Sequence, residues 1–431
     1  MSVAAFSKYG SYKDSGIGWV GEIPSSWSQI ANKHLFSLRK TQVGKRSSEY
    51  DLLSLTLGGI IKRDMENPEG KFPAEFDTYQ EVRPGDFVFC HFDVEETPRT
   101  VGLSRFHGMI TGAYTVYELV ADANPRFLYY FYLNADTDKK LRGLYKGLRN
   151  TIPKDSFGAF KTPLPPFPEQ HAIAAFLDTK CGKIDEAVRI KEEQIKLLRE
   201  RRQVLIQQAV TRGLNPDAPM KDSGIDWIGQ IPAHWEVRRG KHLFREINER
   251  SEEGKEELLS VSHTTGVTAR SEKTIHMFMA EDYTGSKLCQ PGDVVINTMW
   301  AWMGALGVSD MTGIVSPSYG VYRPLCEGAF NRYFLEWLLR TTPFIEQYNK
   351  ISTGLHSSRL RLYPHMFLGL PMAFPGRDEQ DVIVNHVNQE AGKIDRAISI
   401  KENQITALKE YKTTLINAAV TGKIKITEDK L

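Results

Sequence analysis

Two loops of the sequence are rich in side chains that bind nucleic acids. The first, KKLRGLYKGLRNTIPKDS, spans residues 139–156, and the second, YNKISTGLHSSRLRLYPH, spans residues 348–365. Guanidinium and amide groups can bond base edges bidentately, whereas ammonium and hydroxyl groups hold phosphates. The loops therefore predict contacts to DNA, although either loop taken alone could equally be an ordinary solvated loop.

Other residues that could touch DNA lie outside these loops. Arg99 and Arg105 flank a divergent segment of the first half, and Asn297 lies at the corresponding place in the second half, close to Trp300 and Trp302. The two tryptophans could stack on bases or pack in a core. The residues that we expect to contact DNA are Arg99, Arg105, Arg142, Lys146, Arg149, Asn150, Asn297, Lys350, His356, Ser357 and Arg359.

Motifs that would give the chain a reaction of its own are absent from its 431 residues. The sequence has no GxxxxGK[ST] loop, no GxGxxG after a strand, and no HExxH or GxSxG. Its four cysteines form no CxxC pair, which argues against a structural zinc site. We expect no catalytic residues, no bound metal and no cofactor. An enzyme that acts alone through an unrecognised set of residues is the alternative, as is a purely structural coiled-coil adaptor.

Composition is that of a soluble protein, with 41% hydrophobic and 25% charged residues. The formal net charge of +2 neither requires nor excludes a nucleic-acid partner. No run of 18 apolar residues and no secretory signal is present, so we expect a cytoplasmic protein without a membrane partner.

The sequence segments that we expect to position these loops each occur twice in the chain. The leader YKDSGIGWVGEIPSSWSQIANKHLF at 12–36 returns as MKDSGIDWIGQIPAHWEVRRGKHLF at 220–244, and a long segment beginning with Glu169-Gln170 returns from Glu379. The chain is therefore one unit of roughly 210 residues used twice. Because the leader hardly changes, we expect its tryptophans to pack the start of each globule against a neighbouring helix end. These are Trp19, Trp27, Trp227 and Trp235.

The repeated segments at 169–213 and 379–422 predict two long helices. Alternating steps of four and three residues from Leu177 to Ala209 meet apolar side chains at eight of ten places, and a second seam runs from Val387 to Ala419. A helix of about 40 residues is roughly 60 Å long. Such a narrow seam is best buried between the two helices. Four cations interrupt the seams, either specifying register or contacting an acidic surface of another subunit; these are Lys191, Arg202, Lys401 and Lys412.

Short apolar runs with Pro-Gly turns predict strands ahead of each long helix, so the fold class is α+β with two α/β globules that alternate with two helices. We expect the first globule at 1–168 and the second at 214–378, with a tail at 423–431. The leader and helices are nearly copied between the halves, whereas the loops have diverged. Two copies of one reader tuned to different targets would show this pattern, with the helices setting the distance between them.

The sequence resembles the specificity subunits of type I restriction-modification systems over essentially the whole chain. The resemblance is carried by the KDSGIxWIGxIPxxW leaders, by GDVVINTMWAWMGALGVSDMTGIVSPSYGVYRP in the second half, and by LPPFPEQ followed by the long helix. The first half departs from this pattern, with TGAYTVYEL and CHFDVEETPRTVG at the matching places. The first half is thus a divergent member of the pattern.

The resemblance implies two target recognition domains and an antiparallel, pseudo-twofold coiled coil. Each domain would read one half of an asymmetric, gapped site in double-stranded DNA. Two methyltransferase subunits that bind S-adenosylmethionine would methylate adenine at N6, and restriction subunits would use ATP and Mg²⁺ to translocate and cleave DNA. The chain itself would be non-catalytic and would give this defence against phage its sequence specificity.

Overall fold

The computed structural model describes residues 6–65, 75–272, 282–354 and 360–426. The chain divides into two compact units. The first unit contains residues 1–192 and 402–431, and the second contains residues 193–401. Each unit therefore combines one globule with a part of both long helices.

Eight α-helices occur in the described residues: α1 Asn32–Leu35, α2 Pro125–Thr137, α3 Lys154–Ala159, α4 Phe167–Arg212, α5 Arg332–Leu339, α6 Thr342–Ile351, α7 Pro364–Gly369 and α8 Arg377–Val420. Helices α4 and α8, of 46 and 44 residues, are the two long helices expected from the heptad pattern. Each is followed by a glycine with a positive φ angle, 72° at Gly213 and 71° at Gly422. Among the described residues, none of these helices is both long and apolar enough to cross a membrane.

Twelve strands are described in the first unit: β1 Tyr12–Asp14, β2 Glu22–Pro24, β3 Ser28–Ala31, β4 Phe36–Leu38, β5 Leu53–Thr56, β6 Gly59–Lys62, β7 Gln80–Val82, β8 Phe87–Phe89, β9 Val101–Leu103, β10 Gly108–Ile110, β11 Thr115–Leu119 and β12 Lys161–Leu164. Twelve are described in the second: β13 Met220–Asp222, β14 Gln230–Pro232, β15 Glu236–Arg239, β16 Phe244–Glu246, β17 Leu259–Ser262, β18 Gly266–Ala269, β19 Lys287–Cys289, β20 Val294–Ile296, β21 Leu306–Val308, β22 Gly313–Val315, β23 Gly320–Pro324 and β24 Pro371–Phe374.

Both units have the same sheet topology. The first contains a four-stranded antiparallel sheet of order β4-β11-β8-β9, and the second contains β16-β23-β20-β21 in the same order. The two-stranded pairs β1-β2, β3-β12, β5-β6 and β7-β10 likewise match β13-β14, β15-β24, β17-β18 and β19-β22. The duplication seen in the sequence is therefore a duplication of the fold, including the globules whose sequences have diverged.

Each leader is joined to the first turn of a long helix by a buried tryptophan. Trp27 Nε1 donates to Glu169 Oε1 at 3.0 Å, and Trp235 Nε1 donates to Glu379 Oε1 at 3.2 Å. Both indoles are only 1% exposed. A carboxylate suits the positive end of a helix dipole as well as the indole N–H. The expectation that the leader packs on a helix end is confirmed for Trp27 and Trp235.

The glutamine that follows each of these glutamates connects the long helix to a globule helix. Gln170 accepts a hydrogen bond from the backbone N–H of Asn124 at 2.8 Å and donates to the Pro165 carbonyl at 2.8 Å. The Asn124 side chain in turn caps α2. Gln380 accepts from the backbone N–H of Asn331, which caps α5, at 2.9 Å. Both glutamines are buried, so the repeated Glu-Gln pair positions two elements in each unit.

In the first unit, the segments of α4 and α8 contact each other through polar side chains beside the apolar seam. Lys191 Nζ donates to Gln404 Oε1 at 2.7 Å, and Lys412 Nζ donates to Asp185 Oδ1 at 2.6 Å. From Asp185 to Lys191 the residue number rises along α4, whereas the contacting residues on α8 fall from Lys412 to Gln404. The two segments of this unit therefore run in opposite directions.

The second unit contains the matching contacts. Lys401 Nζ donates to Gln194 Oε1 at 2.6 Å, and Arg202 Nε lies 3.3 Å from Asp395 Oδ1. The three lysines that interrupt the seams thus donate hydrogen bonds to the other long helix, and Arg202 forms an ion pair with it. Exposed ion pairs contribute little to stability, but a pair that forms at only one alignment selects that alignment. This geometry favours the interpretation that the cations specify register.

The two glycines after the long helices give a matched test of this packing. A Cβ at Gly422 would lie 2.6 Å from Cγ of Pro24 in the leader, whereas the nearest atom at Gly213 is Glu379 Oε1 at 3.4 Å. Both substitutions to alanine cost roughly 1–2 kcal/mol for the left-handed backbone. Gly422→Ala should add about 1–3 kcal/mol of overpacking.

The free energy of unfolding, measured by urea titration with tryptophan fluorescence, should therefore fall more for Gly422→Ala than for Gly213→Ala. Equal losses for the two variants would show that the close approach of Pro24 does not constrain the helix end.

Candidate nucleic-acid interface

The first expected loop docks at one end of the four-stranded sheet of the first unit. Lys146 and Thr151 form a short hairpin, with N–H···O distances of 2.8 and 3.1 Å. The backbone N–H of Ile152 donates to the carbonyl of His91 at 2.8 Å, and His91 is the second residue after β8. The His91 imidazole lies against the Phe157 ring. Burial lowers the pKa of His91 to about 4, so the imidazole is neutral at pH 7.

The hairpin turn displays side chains to solvent. Gly147 and Asn150 have φ angles of 72° and 44°, and the Asn150 N–H donates to the Gly147 carbonyl at 3.3 Å. Asn150 therefore shapes the turn through its backbone, since asparagine tolerates the left-handed region. Leu148 at the tip is wholly exposed, and Lys146 is exposed beside it.

Arg149 is both exposed and held in one orientation. Its side chain is 69% exposed, Nε lies 2.9 Å from Asp93 Oδ1, and Nη2 contacts Oδ2 of the same carboxylate. The guanidinium carbon lies 5.6 Å from the centre of the Phe92 ring. The hydrogen bonds from Arg149 lower the pKa of Asp93, so the carboxylate stays ionised at neutral pH.

Arg142 forms a second fork of the same kind. Its Nε lies 3.1 Å from Glu95 Oε2, Nη2 contacts Oε1, and the side chain is 64% exposed. Sequence reasoning missed both carboxylate partners. The signal that could have found them is the acidic run at 93–96, whose charge complements the basic loop in the same half of the chain.

Two of the expected residues lie apart from this cluster. Arg99 is 18% exposed and lies 3.2 Å from the buried carboxylate of Asp136, so its guanidinium serves an internal ion pair. Arg105 is exposed but follows β9 at the end where Leu103 pairs with Phe87. This is the opposite end of the β8-β9 pair from the hairpin.

The second unit repeats the construction. Thr353 and Arg361 pair across a longer loop at 3.1 and 2.9 Å, and the N–H of Leu362 donates to the carbonyl of Thr298 at 3.0 Å. Thr298 stands after β20 as His91 stands after β8. Three expected contact residues fall within this loop but lie outside the described residues; these are His356, Ser357 and Arg359.

Asn297 is 7% exposed, and its Nδ2 donates to the Tyr319 hydroxyl at 3.0 Å. It therefore joins the end of β20 to the turn before β23. Lys350 is exposed near the end of α6. The Ile345 side chain of α6 would lie 2.9 Å from a Cβ at Gly304, which places α6 on the tryptophan-bearing turn.

The two tryptophans of that turn are partly exposed, unlike a pair packed in a hydrophobic core. Trp300 is 49% exposed, and its ring stacks on Trp302 with centroids 5.9 Å apart and planes inclined by 21°. Trp302 Nε1 donates to the Met299 carbonyl at 3.0 Å. In the first unit, Phe92 and Tyr114 form a comparable stack, with centroids 6.2 Å apart. Both interfaces thus carry aromatic surface beside polar groups, a combination suited to nucleic acids.

The interface offers no metal chemistry in the part of the chain that the structure describes. No group of three or more His, Cys, Asp or Glu side chains in residues 6–65, 75–272, 282–354 and 360–426 could hold a metal ion. The described exposed groups at the two loops include the Lys146 ammonium and the guanidinium groups of Arg149 and Arg361, which can bind nucleic acids.

No protein family model matches the sequence. A curated relative, the type I restriction enzyme MjaVIII specificity subunit of Methanocaldococcus jannaschii, is 24% identical over 316 residues, which cover 69% of this chain and 70% of that protein. The similarity therefore extends well beyond a single globule or helix.

Solved structures share the fold over nearly the whole chain. A chain from a structural study of complex assembly and conformational transition of the type I R-M system has a TM-score of 0.64 at 16% identity, covering 92% of this chain and 98% of that one. The HsdS subunit from Thermoanaerobacter tengcongensis has a TM-score of 0.52 at 15% identity, covering 96% and 100%. The chain is thus similar in sequence to a specificity subunit of a type I restriction enzyme and shares the fold of these solved chains.

Proposed function

We propose that the chain is the DNA-recognition subunit of a type I restriction-modification complex. Each globule reads one half of an asymmetric, gapped site in double-stranded DNA. The observation that carries the proposal is the pair of equivalent loops, each closed by a backbone pair and docked at its base by the same backbone bond after the same strand, whose sequences differ. A shared scaffold with divergent exposed groups is what two readers of different sequences require.

The exposed groups suit base and phosphate contacts. Lys146, Arg142 and Arg149 project from the first interface, and Lys350 and Arg361 are exposed at the second. Trp300 adds an aromatic face on which a base can stack. Among the residues expected from the sequence, Arg99 is poorly suited to direct contact because its guanidinium is largely buried against Asp136.

The domain organisation that we propose keeps target recognition domains at 1–168 and 214–378, joined by spacers at 169–213 and 379–422. The spacers pair as an antiparallel coiled coil with pseudo-twofold symmetry and set the gap between half-sites. The matched contacts Lys191–Gln404 and Lys401–Gln194 support this arrangement, because each is the counterpart of the other after exchange of the two helices.

The chain is non-catalytic in this proposal, and its partners perform the chemistry. Two methyltransferase subunits with S-adenosylmethionine dock on the spacers, and restriction subunits with ATP and Mg²⁺ join them in the cytoplasm. Helix α4 supports a docking role because Ile190, Leu197 and Val204 are spaced by seven residues and are 43%, 54% and 54% exposed. An apolar stripe on a polar helix commonly marks a protein interface.

Independent reading can be tested by paired substitutions. After the methylated motif is mapped in a host that carries the complex, Lys146→Ala with Arg149→Ala should weaken or relax reading of one half-site only. Lys350→Ala with Arg359→Ala should affect only the other half-site. Each lost base contact should cost about 1–3 kcal/mol of discrimination, measured by binding to DNA with single changes in either half-site.

The control is Lys255→Ala, which removes an exposed cation that pairs with Glu253 at 2.7 Å and belongs to neither of the two loops. Equal damage to both half-sites would contradict independent readers. Methylation by the purified chain without partners would favour the alternative of a self-sufficient enzyme, and sequence-independent binding in the presence of the methyltransferase would favour a structural adaptor.

The spacer role predicts a change in gap length. Four residues inserted between Glu192 and Glu193, together with four between Glu402 and Asn403, should lengthen each helix by about 6 Å. This is close to two base pairs at about 3.4 Å each. Methylome sequencing should return the same half-sites with a longer gap. An unchanged gap in an active complex would rule out the spacers as its determinant.

Docking on α4 predicts loss of partner binding. Leu197→Glu with Val204→Glu should reduce co-purification of the methyltransferase subunit by roughly tenfold or more, because two buried aliphatic contacts are lost. The isolated chain should keep its melting temperature, since both side chains are exposed. Val120→Glu, which changes a side chain that is 56% exposed at the end of β11, is the control. Unchanged co-purification of the double variant would exclude this face.

A further inference from the structure

We propose that Arg149 reads a guanine in the half-site of the first unit, and that Asp93 is the positioning residue that selects which edge of the guanidinium faces the base. The inference rests on the proposed function and adds a base identity and a specificity-determining carboxylate to it. It is carried by the fork between these two side chains and by the backbone around Asp93.

A guanidinium has two edges that can form paired hydrogen bonds. The side edge consists of Nε and Nη2, and the end edge consists of Nη1 and Nη2. Asp93 takes the side edge of Arg149, through Nε at 2.9 Å and through Nη2. Among the described residues, no group accepts a hydrogen bond from Nη1 of Arg149. The end edge is therefore the one directed away from the protein, and it matches the O6 and N7 acceptors of guanine.

The backbone holds Asp93 firmly. Its φ angle is 44°, its N–H donates to the Arg149 carbonyl at 2.8 Å, and its carbonyl accepts from Thr97 N at 2.9 Å and Thr97 Oγ1 at 2.8 Å. A non-glycine residue in the left-handed region persists only where surrounding bonds hold it. Arg149 and Asp93 are thus joined twice, once through the main chain and once through the side chains.

Phe92 and Tyr114 complete the support for the guanidinium. Arg149 lies over the Phe92 ring, which stacks on Tyr114 with planes inclined by 22°. A side chain that is ordered before binding loses less conformational entropy when it bonds a base. Arg149 is therefore built as a preorganised donor pair rather than a mobile surface cation.

The carboxylate of Asp93 favours a contact between Arg149 and a base over a contact between Arg149 and a phosphate. An anion beside Arg149 weakens attraction to the phosphate backbone, so a purely electrostatic contact would be better without Asp93. At a base edge the same carboxylate aligns the donors. Adenine presents an N6 amino donor in place of O6, which an arginine donor pair cannot bond. Asp93 therefore lowers the affinity of Arg149 for DNA in general and increases its discrimination between bases.

The decisive experiment replaces each guanine of the mapped motif, one at a time, with 7-deazaguanine, which lacks only the N7 acceptor. Binding by the complex with its methyltransferase subunits is then measured for the wild-type chain and for Arg149→Ala. One position in one half-site should weaken wild-type binding about tenfold, within the range of a paired base contact. The same replacement should have no further effect on Arg149→Ala.

Asp93→Asn tests the positioning role separately. Asparagine tolerates the left-handed backbone, so the turn should persist, which an unchanged melting temperature verifies. Loss of the anion should leave affinity for non-specific DNA unchanged or raise it, whereas the tenfold sensitivity to 7-deazaguanine should shrink. If Asp93 had only a structural role, its replacement would not lower the sensitivity to 7-deazaguanine while preserving the affinity for non-specific DNA. Asp310→Asn is the matched control, because Asp310 pairs with Arg332 at 2.9 Å in the second unit.

Two results would overturn the inference. One is a first half-site without a guanine whose replacement matters, and the other is equal sensitivity of the wild-type chain and Arg149→Ala at every guanine. Retained sensitivity in a folded Asp93→Asn variant would remove the positioning role of Asp93. Failure of the proposed function would look different, since a complex without sequence-specific methylation would yield no motif to substitute.

Discussion

The fold depends on the hydrogen bonds that converge at the first turn of each long helix. A glutamate there binds the leader tryptophan, and the next residue, Gln170 or Gln380, binds the cap of a globule helix. These glutamines are buried, and an unpaired buried amide costs about 1–3 kcal/mol. The leader, the globule and the long helix are therefore fixed together at one point in each unit. This explains why the leader and the Glu-Gln pair are repeated almost unchanged.

A second constraint lies along the seams. Apolar contacts alone allow one heptad register to slide to the next, because every step of seven residues meets similar side chains. The Lys191–Gln404 contact in the first unit and the Lys401–Gln194 contact in the second favour the observed alignment, because a shift of seven residues would put Ala397 or Tyr411 in place of Gln404 and Ala187 or Arg201 in place of Gln194. Stability comes from the aliphatic residues, and alignment comes from the cations. The same division holds at the interfaces, where a common backbone docks the hairpins and the side chains differ.

Much of this architecture could be predicted from the sequence because it is periodic or repeated. Heptad spacing revealed the long helices, and repetition revealed the structural role of Trp27 and Trp235. The candidate interface was less predictable, since exposed loops carry no periodic signal and an arginine does not disclose its partner. Arg99 was expected at DNA, yet it balances a buried aspartate. Asp93 was not predicted, because the sequence does not show that its carboxylate pairs with Arg149.

The left-handed backbone at Asp93 has a consequence for how the first interface can change over evolutionary time. Few residue types other than glycine, asparagine and aspartate occupy that conformation at low cost. Arg149 has an ordinary backbone on an exposed turn, so most replacements there leave the fold intact. Substitutions would therefore be tolerated unequally. Position 93 can accept only a few residue types, whereas position 149 at the hairpin turn can accept many. Under the proposed function, new specificities would arise first at the hairpin tip and would be sharpened afterwards by the residue at position 93.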